Sequence, residues 1–211
     1  LLALVAPVPP ALRGAIGATG RYNFSGDAPL IQSELALQNA FLADEELSFD
    51  RGSVVVEPNA LRLDLGLRAG ASNELITMQG LAPLNPSDQL DLVIESHGDA
   101  LESLAALGGD ALKVKGGTTD LRLIIRGQLD QPLANGFLVV KDGDLMLGEQ
   151  PLRQINASLL FDFDRLEIQN LKAKLGSGGS LLGSGSIGLF SPQAEDLSLI
   201  HISEPTRLRT I

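Results

Sequence analysis

This chain offers little to chemistry. It holds two histidines and no cysteine, which excludes disulfide staples, thiolate metal sites and Cys nucleophiles. His97 is the one imidazole placed to act as a base or ligand. No second His or Cys completes a metal set around it, and it reads as a surface loop residue between a strand and a helix N-cap. Asp44-Glu45-Glu46 supplies the hard oxygens that calcium takes, but three successive acids fit a solvated turn. Gly176-Ser177-Gly178-Gly179 has the glycines of a phosphate cradle without the Lys and following helix that such a loop requires. Gly183-Ser184-Gly185 is a strand repeat, not the G-x-S-x-G elbow of a nucleophilic serine. These residues predict no catalytic, metal or cofactor-binding site and no enzyme.

What must then be explained is the framework. The 211 residues carry a net charge of −10 with 16 Lys and Arg, which argues against a nucleic-acid partner, since that requires a basic face. At 44% hydrophobic the chain is not intrinsically disordered. Aromatics are 4% and Trp is absent, whereas Leu alone is about a fifth of the residues, well above ordinary usage.

Period-2 alternation dominates. In Leu61-Arg62-Leu63-Asp64-Leu65-Gly66-Leu67-Arg68 every odd position is Leu and every even one polar or Gly, the signature of a half-buried strand. Residues 31–38, 90–95, 121–126 and 157–163 alternate similarly. Turn signals separate the runs: Pro58-Asn59, Asp164-Arg165, Gly116-Gly117 between 111–115 and 119–126, and Asp142-Gly143 between 137–141 and 144–147. The Asp-Gly step is a strong hairpin signal. About a dozen short strands result. One short helix is expected over residues 99–107, with Asp99 and Glu102 as a capping box, Leu101, Leu104, Ala105 and Leu107 as its apolar face, and Gly108-Gly109 as its stop.

The chain also resembles itself. At a shift of 105 residues, Val54 falls on Leu159, Leu61 on Leu166, Leu63 on Ile168 and Gly80 on Gly185; upstream the shift is about 103, with Pro29-Leu30 near Pro132-Leu133. This period exceeds the rungs of ordinary solenoids and fits a long antiparallel meander. The expected organisation is a linker over 1–19, one β-groove repeat over 20–110, a second over 111–192, and a tail over 193–211. Residues 197–207 resemble the in-frame translation of a sequencing-library adapter, so the tail is expected to be adapter-derived or disordered and His201 to have no role.

A meander with one apolar face packs on a second sheet, closes on itself, or curls into a trough. The aliphatic lining and the glycines crowded over 176–188 favour strong curvature. The expected fold is therefore all-β: a long antiparallel meander curled into an open hydrophobic groove, a β-taco. Leu61, Leu63, Leu65, Leu67, Leu121, Leu123, Ile125, Leu159, Phe161, Leu166 and Ile168 should line its concave side, with Arg62, Asp64, Arg122 and Glu167 pointing out.

Residues 121–190 carry a more specific pattern. A strand is followed by Gly127-x-Leu129-x-x-Pro132-x-x-x-Gly136, then a strand with Asp142-Gly143, then Phe161-Asp162-Phe163-Asp164-Arg165-Leu166-Glu167-Ile168. This resembles the TamB family (translocation and assembly module) within the AsmA-like superfamily, in its cyanobacterial form. The resemblance implies a periplasmic bridge anchored to the inner membrane, with the anchor and the family's C-terminal domain lying outside this sequence. It implies phospholipid acyl chains as the groove's contents, carried between inner and outer membranes. It also implies an outer-membrane β-barrel partner, with a role in assembly or secretion of barrel proteins. The physics agrees: exposing acyl chains costs about 0.8 kcal/mol per CH₂, so two ordinary chains cost roughly 25 kcal/mol. A rival reading is a structural or adhesive secreted β-solenoid, although such proteins favour short rungs with Asn, Thr and Ser ladders. A jelly-roll enzyme or binding module would need convergent polar residues.

Overall fold

The computed structural model describes residues 12–23, 30–42, 45–70, 74–101, 112–147, 149–176, 178–189 and 200–203. They form one antiparallel sheet in strict sequence order: β1 (Leu12–Asn23), β2 (Leu30–Leu42), β3 (Glu45–Val56), β4 (Ala60–Ala69), β5 (Ile76–Pro83), β6 (Gln89–Gly98), β7 (Leu112–Gln128), β8 (Gln131–Leu147), β9 (Gln150–Phe163), β10 (Arg165–Leu175), β11 (Ser180–Gly188) and β12 (Ile200–Ser203). The sheet is open, and β1 and β12 are its edges. Substantial strand contacts among the described residues are confined to sequence neighbours, so no second sheet covers the first.

Local sequence explains the hairpins. Alternation makes β4 half-buried, with Leu61, Leu63 and Leu65 inside and Arg62 exposed. Pro58-Asn59 turns the chain from β3 into β4, and the Glu57 amide donates to the Ala60 carbonyl at 2.8 Å. Between β9 and β10, Phe163 takes φ 58° to make a two-residue reversal, and Asp162 pairs with Arg165 across it.

The internal repeat is written into the pairing. Val54 pairs with Leu63 and Val56 with Leu61; Leu159 pairs with Ile168 and Phe161 with Leu166. These are the same register 105 positions on. Gly80 lies opposite Leu63, and Gly185 lies opposite Ile168. At the 103-residue shift, Asn23 opposite Leu30 becomes Arg126 opposite Leu133. Hairpins β1–β2 and β3–β4 thus recur as β7–β8 and β9–β10. The 110/111 junction opens no gap in the sheet, because β6 and β7 pair along the whole of β6.

Four expectations need correction or placement. Asp142-Gly143 is no hairpin turn: β8 runs through it for 17 residues, and Asp142, at φ 49°, sits in a β-bulge. Gly116-Gly117 likewise does not split its segment, because β7 continues through two register shifts there. The reason is shared. Residues 144–147 pair forward with 150–152 and back with 112–116, not with 137–141, and an Asp-Gly step that fits a primed turn also fits a bulge. Of the helix expected over 99–107, only the start is described, where Leu101 is helical after a turn at Asp99 and Ala100; the remainder lies outside the described residues. Within the tail expected to be adapter-derived or disordered, Ile200–Ser203 forms β12 and pairs with β11 over residues 180–183.

Candidate functional site

In an antiparallel ladder directly opposite residues share a face, so the register assigns every side chain. One row runs Leu65, Met78, Ile94, Leu123, Gly136, Phe161, Leu166, Ile187 from β4 to β11. The next runs Phe49, Leu67, Ile76, Ser96, Leu121, Leu138, Leu159, Ile168. Leu61 continues this face on one side of Leu63, and Leu63 lies in the row of Ile125, through Gly80 and Leu92. All eleven residues expected to line the groove therefore stand on one face. Arg62, Asp64, Arg122 and Glu167 stand on the other.

The apolar face is not equally accessible along its length. Leu61, Leu63 and Leu65 are 6%, 9% and 8% exposed and pack with Val54, Ala82, Leu90 and Leu92 in one cluster. Since no second layer of described residues lies over them, the sheet must curl tightly on itself here. Small residues opposite β4, such as Gly80 and Ala82, let the Leu side chains fold over and fill the space. Leu121 is also buried. By contrast Leu67, Leu123, Ile125, Leu159, Phe161, Leu166 and Ile168 are only half-buried. The expected lining residues thus differ in accessibility, and a second buried cluster on the same face, Val140, Ile155, Ala157 and Ala173 with Leu101, lies over β8–β10.

Two features of this face escaped the sequence reading. Leu101, from the β6–β7 connection, is 8% exposed and packs on Val140, Ile155, Ala157 and Ala173. Its Cδ2 would lie 3.3 Å from a Cβ built on Gly143, so the connection enters the apolar face where both strands carry glycine. Ser96 and Thr119 are also on this face, 1% and 5% exposed, and neither hydroxyl has a hydrogen-bond partner. The only signal for them in the sequence is a polar residue at an apolar phase of the alternation.

The opposite face is held by charge pairs. Across β6 and β7, Asp91 meets Arg126 at 3.0 Å and Glu95 meets Arg122 at 3.2 Å; beside these ion pairs, His97 Nδ1 lies 2.8 Å from Asp120 Oδ1. His97 is therefore a strand residue opposite an acid, not a loop residue. Arg62 binds Glu57 across the β3–β4 turn at 2.6 Å. Such pairs are exposed and individually worth about 0.2–1 kcal/mol; their regular placement fixes which face is outside.

The remaining polar motifs resolve into turns and strands. Asp44 lies outside the described residues, while Glu45 begins β3 and Glu46 is exposed on it. In the glycine-rich turn after β10, the Gly176 amide donates to the Pro151 carbonyl at 3.0 Å and the Gly178 amide to the Leu175 carbonyl at 3.0 Å; neither amide is left for a phosphate. Gly183-Ser184-Gly185 lies within β11. Among the described residues no three His, Asp or Glu side chains gather as a metal set, and no helix is long and apolar enough to cross a membrane. No family model, no curated protein and no solved structure matches this chain.

Proposed function

We propose that this chain is a segment of a TamB-like bridge that holds phospholipid acyl chains on its apolar face during passage between inner and outer membranes across the periplasm, with assistance to outer-membrane β-barrel assembly as the companion role. The observation that carries the reading is continuity. Largely apolar rows cross the sheet, one of them from β4 to β11, without interruption by charge, on a sheet with no covering layer among the described residues. Transfer along such a surface needs neither catalyst nor polar specificity, because apolar burial is non-directional and scales with area.

The test is photo-crosslinking in cells from Leu123 and Ile168, with Arg122 and Glu167 as neighbours on the outer face. Phospholipid captured from the first pair alone supports the trough; equal capture from both pairs rejects it. The self-filled packing of Leu61, Leu63 and Leu65 favours a second reading, a purely structural or adhesive sheet whose apolar face is its own core. That reading expects no lipid at any of the four positions.

A further inference from the structure

We propose that Arg153 and Lys174 form a phosphate-binding site on one rim of the sheet, taking the phosphate of an amphiphile whose chains lie on the adjoining apolar face; the lipid source rests on the trough reading above. The starting point is a pairing that works against the fold. Arg153 on β9 and Lys174 on β10 lie directly opposite each other. Like charges so placed destabilise a sheet. Among the described register partners no other like-charged pair occurs, whereas Asp91 faces Arg126, Glu95 faces Arg122 and Asp162 faces Arg165. Among the described residues neither Arg153 nor Lys174 has an acidic partner, although the chain carries 26 acids.

A second observation is independent of that pair. All five lysines, Lys113, Lys115, Lys141, Lys172 and Lys174, fall between positions 113 and 174 of an acidic chain. The register gathers these positions toward one end of the strands, at the start of β7, at the bulge of β8 and at the end of β10. A concavity of about 480 Å³ lies there, lined by Arg153, Lys174, Asp144, Gln154, Leu175 and glycines of the β10–β11 turn. Asp144, its one acid, already accepts the Gln154 amide at 2.9 Å. The ladder partners Leu152 and Leu175 stand one position from the cations and so on the opposite, apolar face, where Leu152 packs with the apolar cluster; Leu175, the last residue of β10, also lines the concavity. An oxyanion held by the two cations would reach that cluster with its chains turned around the strand ends past Leu175. A compact anion of this kind suits a planar guanidinium beside a flexible ammonium.

The experiment titrates the full chain with three probes: dihexanoyl phosphatidic acid, dihexanoylglycerol with the same chains and no phosphate, and inorganic phosphate. The native chain is expected to bind the phosphate-bearing lipid about thirtyfold more tightly than the glyceride, the effect of two surface cations on one anionic group. Lys174→Glu should abolish that preference and leave glyceride binding unchanged. It should also raise the melting temperature, because it turns a repulsive pair into a complementary one; this separates loss of binding from loss of folding. Equal affinity of the native chain for both lipids, or a preference that survives Lys174→Glu, overturns the site. Inorganic phosphate binding as tightly as the phosphatidic acid overturns the lipid assignment. If the glyceride fails to bind while the phosphatidic acid binds and loses affinity on Lys174→Glu, the trough reading fails and the phosphate site stands.

Discussion

Asn39 and Asp142, 103 positions apart, hold the same left-handed backbone conformation, at φ 48° and 49°. Each is matched across its hairpin by a glycine at a repeated position, Gly14 at φ 126° and Gly117 at φ 118°. A Cβ on Gly14 would meet the Asn39 carbonyl oxygen at 2.7 Å, and one on Gly117 would meet Gly143 Cα at 2.6 Å. The two halves therefore bend their hairpins by one device: an Asn or Asp that tolerates the left-handed region, set against a residue with no side chain. Gly117→Val should destabilise by more than about 2 kcal/mol, since it adds backbone strain and a steric clash together. Asp142→Gly should be close to neutral, and Asp142→Val should cost about 1–2 kcal/mol. Urea unfolding of the three variants checks the order; Gly117→Val as stable as the native chain would show that the bend does not need the glycine.

This device also marks where sequence reading stops. Alternation of Leu with polar residues identifies β4 and β7 and assigns their faces, and the shift of 105 places Val54–Leu63 on Leu159–Ile168 in the correct register. Asp142-Gly143 cannot be decided locally, because the same left-handed residue serves a turn and a bulge. Its fate depends on whether residues 144–147 find partners in 112–116, which is a property of strands distant in sequence. Nor does alternation reveal how tightly the sheet curls. Leu63 and Leu123 have the same sequence phase, and each stands opposite a glycine, Gly80 and Gly136, yet one is buried and the other half-buried.

That difference sets the second expectation. Leu63→Ala removes a buried side chain packed in a cluster and should cost about 2–5 kcal/mol. Leu123→Ala, from a half-buried position, should cost nearer 1 kcal/mol. Leu123→Asp is the cleaner probe of lining chemistry, because its carboxylate retains access to water, whereas Leu63→Asp places a charge in packed surroundings and should unfold the region. Circular dichroism with chemical denaturation reads both, and equal losses for the two Ala variants would mean that the curl does not seal the first half.

The ion-pair ladder between β6 and β7 should contribute little energy and much definition. A double-mutant cycle on Asp91 and Arg126, 3.0 Å apart with both side chains more than half exposed, should return less than about 1 kcal/mol at low salt, falling further by 0.5 M salt. Exchanging the charges, Asp91→Arg with Arg126→Asp, should preserve stability to within the error of the measurement. A coupling of several kcal/mol would instead identify the outer face as a principal source of stability.

The last expectation concerns the two hydroxyls on the apolar face. Ser96 stands opposite Leu121 and Ile76, in a row otherwise apolar; Thr119 lies opposite Val140. Both are almost fully buried and neither hydroxyl has a partner. A buried hydroxyl without a hydrogen bond costs about 1–3 kcal/mol in protein surroundings, and an apolar side chain of the same shape avoids that cost. Thr119→Val, which keeps the β-branched shape, should therefore raise stability by about 1 kcal/mol. Ser96→Ala should gain less, because it also removes a packed atom. The two sites are near neighbours across β6 and β7, so their effects need not add. The same changes make the row fully apolar, and if acyl chains slide along it, transfer in the double variant should be at least as fast as in the native chain. A drop in stability for Thr119→Val would reveal a hydrogen bond to bound water at that position, and slower transfer with unchanged folding would assign the hydroxyls to the ligand instead.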